Sequence, residues 1–126
     1  MKGLAIRRLV ALLVFASTAA TAAPGDTERG KKIHRTCRAC HSLEKNTTGP
    51  RHCGLVGRAA GSVPGFVYSP AMRSAGLTWT ADNLDAFLAG PSEFVPGNFM
   101  PFGGLPDPQA RADLIAYLAT QDCKSP

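Results

Sequence analysis

Apolar residues fall along the 126-residue chain in two different manners. The first is a continuous block. Leu9 to Ala20 is apolar almost throughout, follows Lys2, Arg7 and Arg8, and ends on the small-x-small triplet Ala20-Thr21-Ala22. That order of basic, apolar and small residues is that of a secretory signal peptide cleaved after Ala22. The block falls short of the ~20 apolar residues of a membrane span, and Ser17, Thr18 and Thr21 interrupt its end. Retention as an uncleaved anchor is the alternative. The predicted division is a signal peptide at 1–22 and one domain at 23–126.

Beyond Ala22 the apolar positions become periodic, with helical spacing. Asp26 is placed to cap a first helix in which Gly30, Ile33, His34 and Cys37 share one face at i, i+3, i+4 and i+7. From Ser42 to Gly65 periodicity vanishes and glycine is frequent, which reads as irregular chain. Ser69-Pro70 opens a short helix that Gly76 ends. Thr80 caps another, with Leu84, Phe87 and Leu88 on one face and Gly90-Pro91 as its stop. Asp107-Pro108 opens the last helix, whose apolar stripe is Ala110, Leu114, Tyr117 and Leu118. No segment sustains strand alternation and no repeat is present, so the fold class is all-α.

Composition sharpens this picture in two ways. The formal net charge of +5 drops by three, to +2, once Lys2, Arg7 and Arg8 leave with the signal peptide, which removes any compositional case for nucleic-acid binding. With 13 glycines and 10 prolines, a domain this short buries little apolar surface alone. A large apolar prosthetic group at its centre would change that balance.

The first helix leads into such a site. Cys37-Arg38-Ala39-Cys40-His41 is a C-x-x-C-H run, the attachment motif of a c-type haem. Each thiol can form a thioether with one vinyl group of the porphyrin, and His41 then lies under the iron. Zinc at Cys37, Cys40, His52 and Cys53 is a competing reading, but adjacent His52 and Cys53 cannot both converge easily on a tetrahedron. A thioredoxin-like redox pair requires a strand before the motif, where a helix is predicted. For the second axial ligand, Met100 is the leading candidate. It sits in the turn-rich segment Val95-Pro96-Gly97-Asn98-Phe99-Met100-Pro101-Phe102, with aromatics on both sides. Core filling by Met100 is the bland alternative. Met72 lies on the short helix without a comparable setting, and His34 and His52 read as surface or packing residues.

Further segments extend the match in order: Thr48-Gly49-Pro50, Gly54-Leu55-Val56-Gly57-Arg58, Gly65-Phe66-Val67-Tyr68-Ser69, Thr78-Trp79, Val95-Pro96-Gly97 and Met100-Pro101-Phe102. Together they resemble a small class I cytochrome c, of the mitochondrial and bacterial cytochrome c2 type. The resemblance implies three to five helices wrapped around one covalently attached haem c, with N- and C-terminal helices crossing. It implies His41 and Met100 as axial ligands, the Pro50 carbonyl as acceptor for the other ring N–H of His41, and Arg58, Tyr68 and Trp79 as donors to a buried propionate. A buried anion requires such charge-assisted donors. It also implies a periplasmic electron carrier, not an enzyme, monomeric and without membrane insertion or nucleic acid. Its partners would be redox proteins: a bc1-type complex, a terminal oxidase, a reaction centre or a dehydrogenase.

Several positions depart from the family pattern. Phe87 stands where a tyrosine usually donates to the methionine sulfur, which leaves open a haem enzyme with a labile Met100 ligand. His34 replaces an aromatic expected to pack on the last helix, and Asn98 replaces a threonine while keeping the capacity to donate. Ser92, Glu93 and Phe99 stand where lysines are common, so the docking face is less basic. Cys53 and Cys123 lie in regions that approach each other in the family fold. An oxidising compartment favours their pairing, with free thiols or an intermolecular bond as alternatives.

Overall fold

Each predicted cap holds its helix end. In the computed structural model, which describes residues 22–123, the Asp26 carboxylate accepts the Arg29 N–H at 2.8 Å and starts α1 (Thr27–Cys37). Ser69 accepts from the Met72 N–H at 3.0 Å and starts α2 (Pro70–Arg73). Thr80 and Asp107 do the same for α3 (Ala81–Ala89) and for the last helix, Pro108–Ala119. These bonds satisfy amides that have no partner inside the helix. The signal-peptide expectation falls on residues outside this range, apart from Ala22.

Between α3 and the last helix lies one element that the sequence pattern did not indicate, α4 (Pro91–Phe94), which makes the last helix α5. Gly90-Pro91 reads as a stop. It ends α3, but proline at the first position of a helix is also a start, because its missing N–H needs no partner there. The short helix α2 ends at Arg73, before Gly76. The described residues form five helices and no strand, with one isolated bridge between Ala59 and Thr78.

α1 packs across α5, and α3 packs on both α5 and α4. The α1–α5 crossing is close because Gly30 has no side chain: a Cβ there would collide with the Asp113 carbonyl oxygen. Beside it the Asp113 carboxylate, 2% exposed, accepts from Arg29 Nε at 2.8 Å, from the Asp26 N–H at 2.7 Å and from the Gln109 amide at 3.0 Å. The irregular chain is tied down by backbone bonds. Gly57 and Ala60 donate to the Trp79 and Leu77 carbonyls, and Trp79 donates to the Arg58 carbonyl. Leu55, Trp79, Leu84, Phe87, Leu88, Val95, Leu114, Ile115 and Leu118 form the core.

Candidate functional site

Most of that core surrounds a cavity rather than a solid interior. Its volume is about 310 Å³, the size range of small-ligand and cofactor sites. Leu55, Leu84, Phe87, Leu88, Leu114 and Leu118 line it, so its walls are largely apolar. All eight residues expected to hold haem line it as well: Cys37, Cys40, His41, Pro50, Arg58, Tyr68, Trp79 and Met100.

Local bonding explains how each arrives. α1 ends at Cys37, and the Cys40 and His41 N–H groups both bond the Cys37 carbonyl, at 3.1 and 2.9 Å, so the motif turns tightly and aims its side chains together. Both motif cysteines are half-buried and neither is paired in a disulfide, and burial raises the Cys37 pKa. His41 Nδ1 donates to the Pro50 carbonyl at 2.7 Å. That bond fixes the tautomer and leaves Nε2 with a lone pair for a metal. Burial lowers the His41 pKa, partly offset by the Pro50 bond, and so favours the neutral, ligating form.

The polar end of the cavity fits an anionic group. Arg58 lies beside Trp79 because their backbones pair, and its two terminal nitrogens donate to the Cys53 and Arg51 carbonyls at 3.1 and 3.0 Å. Its Nε is buried and has no partner in the protein. Tyr68 accepts from the Val63 N–H at 3.2 Å, which leaves its own O–H free to donate. An unpaired guanidinium N–H in an apolar wall is costly unless an acceptor meets it, and a haem propionate is such an acceptor.

Other placements refine the sequence reading. Met72 lines the same cavity, so two thioethers face it, not Met100 alone. Asn98 also lines it, but its amide donates to the Pro91 and Val95 carbonyls at 2.9 Å each and accepts from the Met100 N–H at 2.8 Å. Its role is to hold the methionine segment. His34 retains the interhelical contact of the aromatic it replaces, meeting Tyr117 at a ring separation of 5.3 Å. Phe87 packs on Trp79 at 4.9 Å and brings no hydroxyl to the cavity. Of the surface and packing readings of His34 and His52, packing holds: His34 is 1% exposed, His52 is half-buried, their ring nitrogens lie 3.0 Å apart, and His52 stacks on His41 at 4.0 Å. Burial, with His41, His34 and Arg58 close by, pushes the His52 pKa down to about 2. The sequence carried one hint of this contact, since His52 follows Pro50 by two residues.

The zinc alternative finds no support. Among the described residues no three His, Cys, Asp or Glu side chains converge on a metal position. Cys53 instead faces Cys123, with Cα atoms 4.9 Å apart, inside the disulfide range. The Gly54 N–H donates to the Gln121 carbonyl and brings the two segments together. Among the described residues no helix is long and apolar enough to cross a membrane.

Comparison with known proteins agrees with this geometry. The cytochrome c family model matches residues 27–122. The chain is 44% identical to a cytochrome c2 of Rhodomicrobium vannielii, over 96% of this chain and 98% of that protein. It is 47% identical to a cytochrome c of Chlamydomonas reinhardtii, over 81% and 95%. Among solved structures, cytochrome cH from Methylobacterium extorquens superposes with a TM-score of 0.75 at 44% identity, covering 76% of this chain and 99% of that one. The chain therefore belongs to the cytochrome c family, as a class I, c2-like electron-transfer protein that carries covalently attached haem c.

Proposed function

We propose that the protein is exported, cleaved after Ala22, and works as a soluble, monomeric electron carrier in the periplasm. It passes single electrons from a membrane or periplasmic donor, such as a bc1-type complex or a dehydrogenase, to an acceptor such as a terminal oxidase or a reaction centre. Cys37 and Cys40 would tether the haem, and His41 and Met100 would supply the ligands to its iron. Bound there, the haem supplies reversible one-electron chemistry at iron. The protein keeps both ligands in place, so little rearranges when charge changes. Pro50 holds the His41 ring, Asn98 holds the Met100 backbone, and Arg58, Tyr68 and Trp79 offer donors to a buried propionate. Apolar walls exclude water, and with a soft thioether ligand they favour the ferrous state.

The observation that carries this reading is one cavity receiving both motif thiols, a tautomerically fixed His41 and the Met100 thioether. Two measurements test it. Denatured protein extracted with acidified organic solvent is expected to keep its pigment. The ferric protein is expected to show the weak red band of thioether-ligated low-spin haem, lost in Met100→Leu and kept in Met72→Leu. A band that survives Met100→Leu, or vanishes in Met72→Leu, overturns the ligand assignment.

The same export reading pairs Cys53 with Cys123 in an oxidising compartment. With a sequence separation of 70, closing that loop stabilises the fold by about 4 kcal/mol at most. Thiol titration of the denatured, unreduced protein is expected to find no free cysteine. Two titratable thiols would refute the pairing.

A further inference from the structure

The Pro50 carbonyl meets His41 at its edge, 2.7 Å from Nδ1. An edge contact fixes one nitrogen but leaves the ring free to turn about the line through it. Two other groups restrict that turn. Gly49 brings its backbone so near that a Cβ there would collide with the His41 ring. His52 lies against the face of the ring, with centroids 4.0 Å apart and planes within 24°.

His52 is itself held. Its Nδ1 lies 3.0 Å from His34 Nε2, and His34 is wedged at the α1–α5 crossing with its ring 5.3 Å from Tyr117. The contacts run from the helix crossing through His34 and His52 to the imidazole in the cavity. Aliphatic side chains at 34 and 52 would fill the same volume, yet they would offer neither a flat face nor a directional bond. The buried His34 ring is tolerated because one of its nitrogens is paired with the half-buried His52.

We propose that His52 is a positioning residue for the axial imidazole: its ring, anchored by His34, sets the plane in which His41 meets the iron. This rests on His41 being the ligand, as argued above. The plane of an axial imidazole selects which iron orbital holds the unpaired electron of ferric haem, and the haem methyl hyperfine shifts report that selection directly. Proton NMR of ferric holoprotein provides the test. His52→Leu is expected to change the spread and order of the haem methyl shifts, while His52→Phe, which keeps a flat ring, retains the wild-type order. His34→Phe, which keeps a ring at the crossing and removes only the bond, is expected to move the shifts in the direction of His52→Leu by a smaller amount. Wild-type methyl shifts in His52→Leu overturn the proposal. If that variant does not accumulate with haem, unchanged shifts in His34→Phe overturn it. A wild-type protein whose ferric spectrum lacks imidazole and thioether ligation overturns the ligand assignment and this proposal together, and does so before any variant is made.

Discussion

Asn98 shows how a single amide can hold the segment that carries the proposed ligand Met100 while its own donors are spent elsewhere. Its two N–H groups are spent on the carbonyls of Pro91 and Val95, and its oxygen receives the Met100 N–H. The side chain thus cross-links the end of α4 to the backbone that carries the thioether. Each such bond contributes about 1 kcal/mol net, so Asn98→Ala is expected to cost about 1–3 kcal/mol. In a urea titration of the ferric variant, the red band should disappear at lower denaturant than in the wild type. An unchanged midpoint would show that the methionine segment is held by other means.

At the scale of elements, the α1–α5 crossing combines an absent side chain with a buried charge. Gly30 lets the helices approach, and Asp113 then satisfies Arg29, the Asp26 N–H and the Gln109 amide from one carboxylate. The Arg29 hydrogen bond is the largest of the influences that hold the Asp113 pKa below the usual carboxylate range, followed by the Asp26 N–H and the Gln109 amide. The unfolded chain binds that proton at about pH 3.9. A depressed folded-state pKa therefore stabilises the fold fully above that value and ceases to do so as pH falls through the folded-state pKa. Asp113→Asn should lower the Tm most at neutral pH, with the gap to wild type closing as pH drops from about 5 toward 2. A pH-independent gap would mean that the side chain matters by packing rather than by charge.

Over the whole molecule, the mouth of the cavity is apolar. Among the described residues Val67 and Phe99 are the exposed large hydrophobics, at 79% and 71%, and both line the cavity. Positive charge lies instead along α1 and the following loop, where Lys31, Arg35, Arg38 and Lys45 border a separate depression. Charge steering acts chiefly on association rate and fades with salt. With few cations at the mouth, the second-order rate of electron transfer to an acceptor should fall only shallowly between low and physiological ionic strength. A steep fall in stopped-flow measurements would place the docking contact on the α1 side.

What could be read from the chain alone was local. Asp26, Ser69, Thr80 and Asp107 act on amides two or three residues away, so their spacing was enough to locate the helix starts, and the C-x-x-C-H run marks its chemistry within five residues. The turn-rich, aromatic-flanked segment marks Met100, and resemblance to the family adds Pro50, Arg58, Tyr68 and Trp79, which all line the same cavity. Other features depended on which distant segments meet. The Arg29–Asp113 pair spans 84 positions, the His34–His52 pair 18, and Met72 reaches the cavity only because α2 packs against the core. Spacing along a chain decides which residues share a helix face; only the folded backbone decides what that face meets.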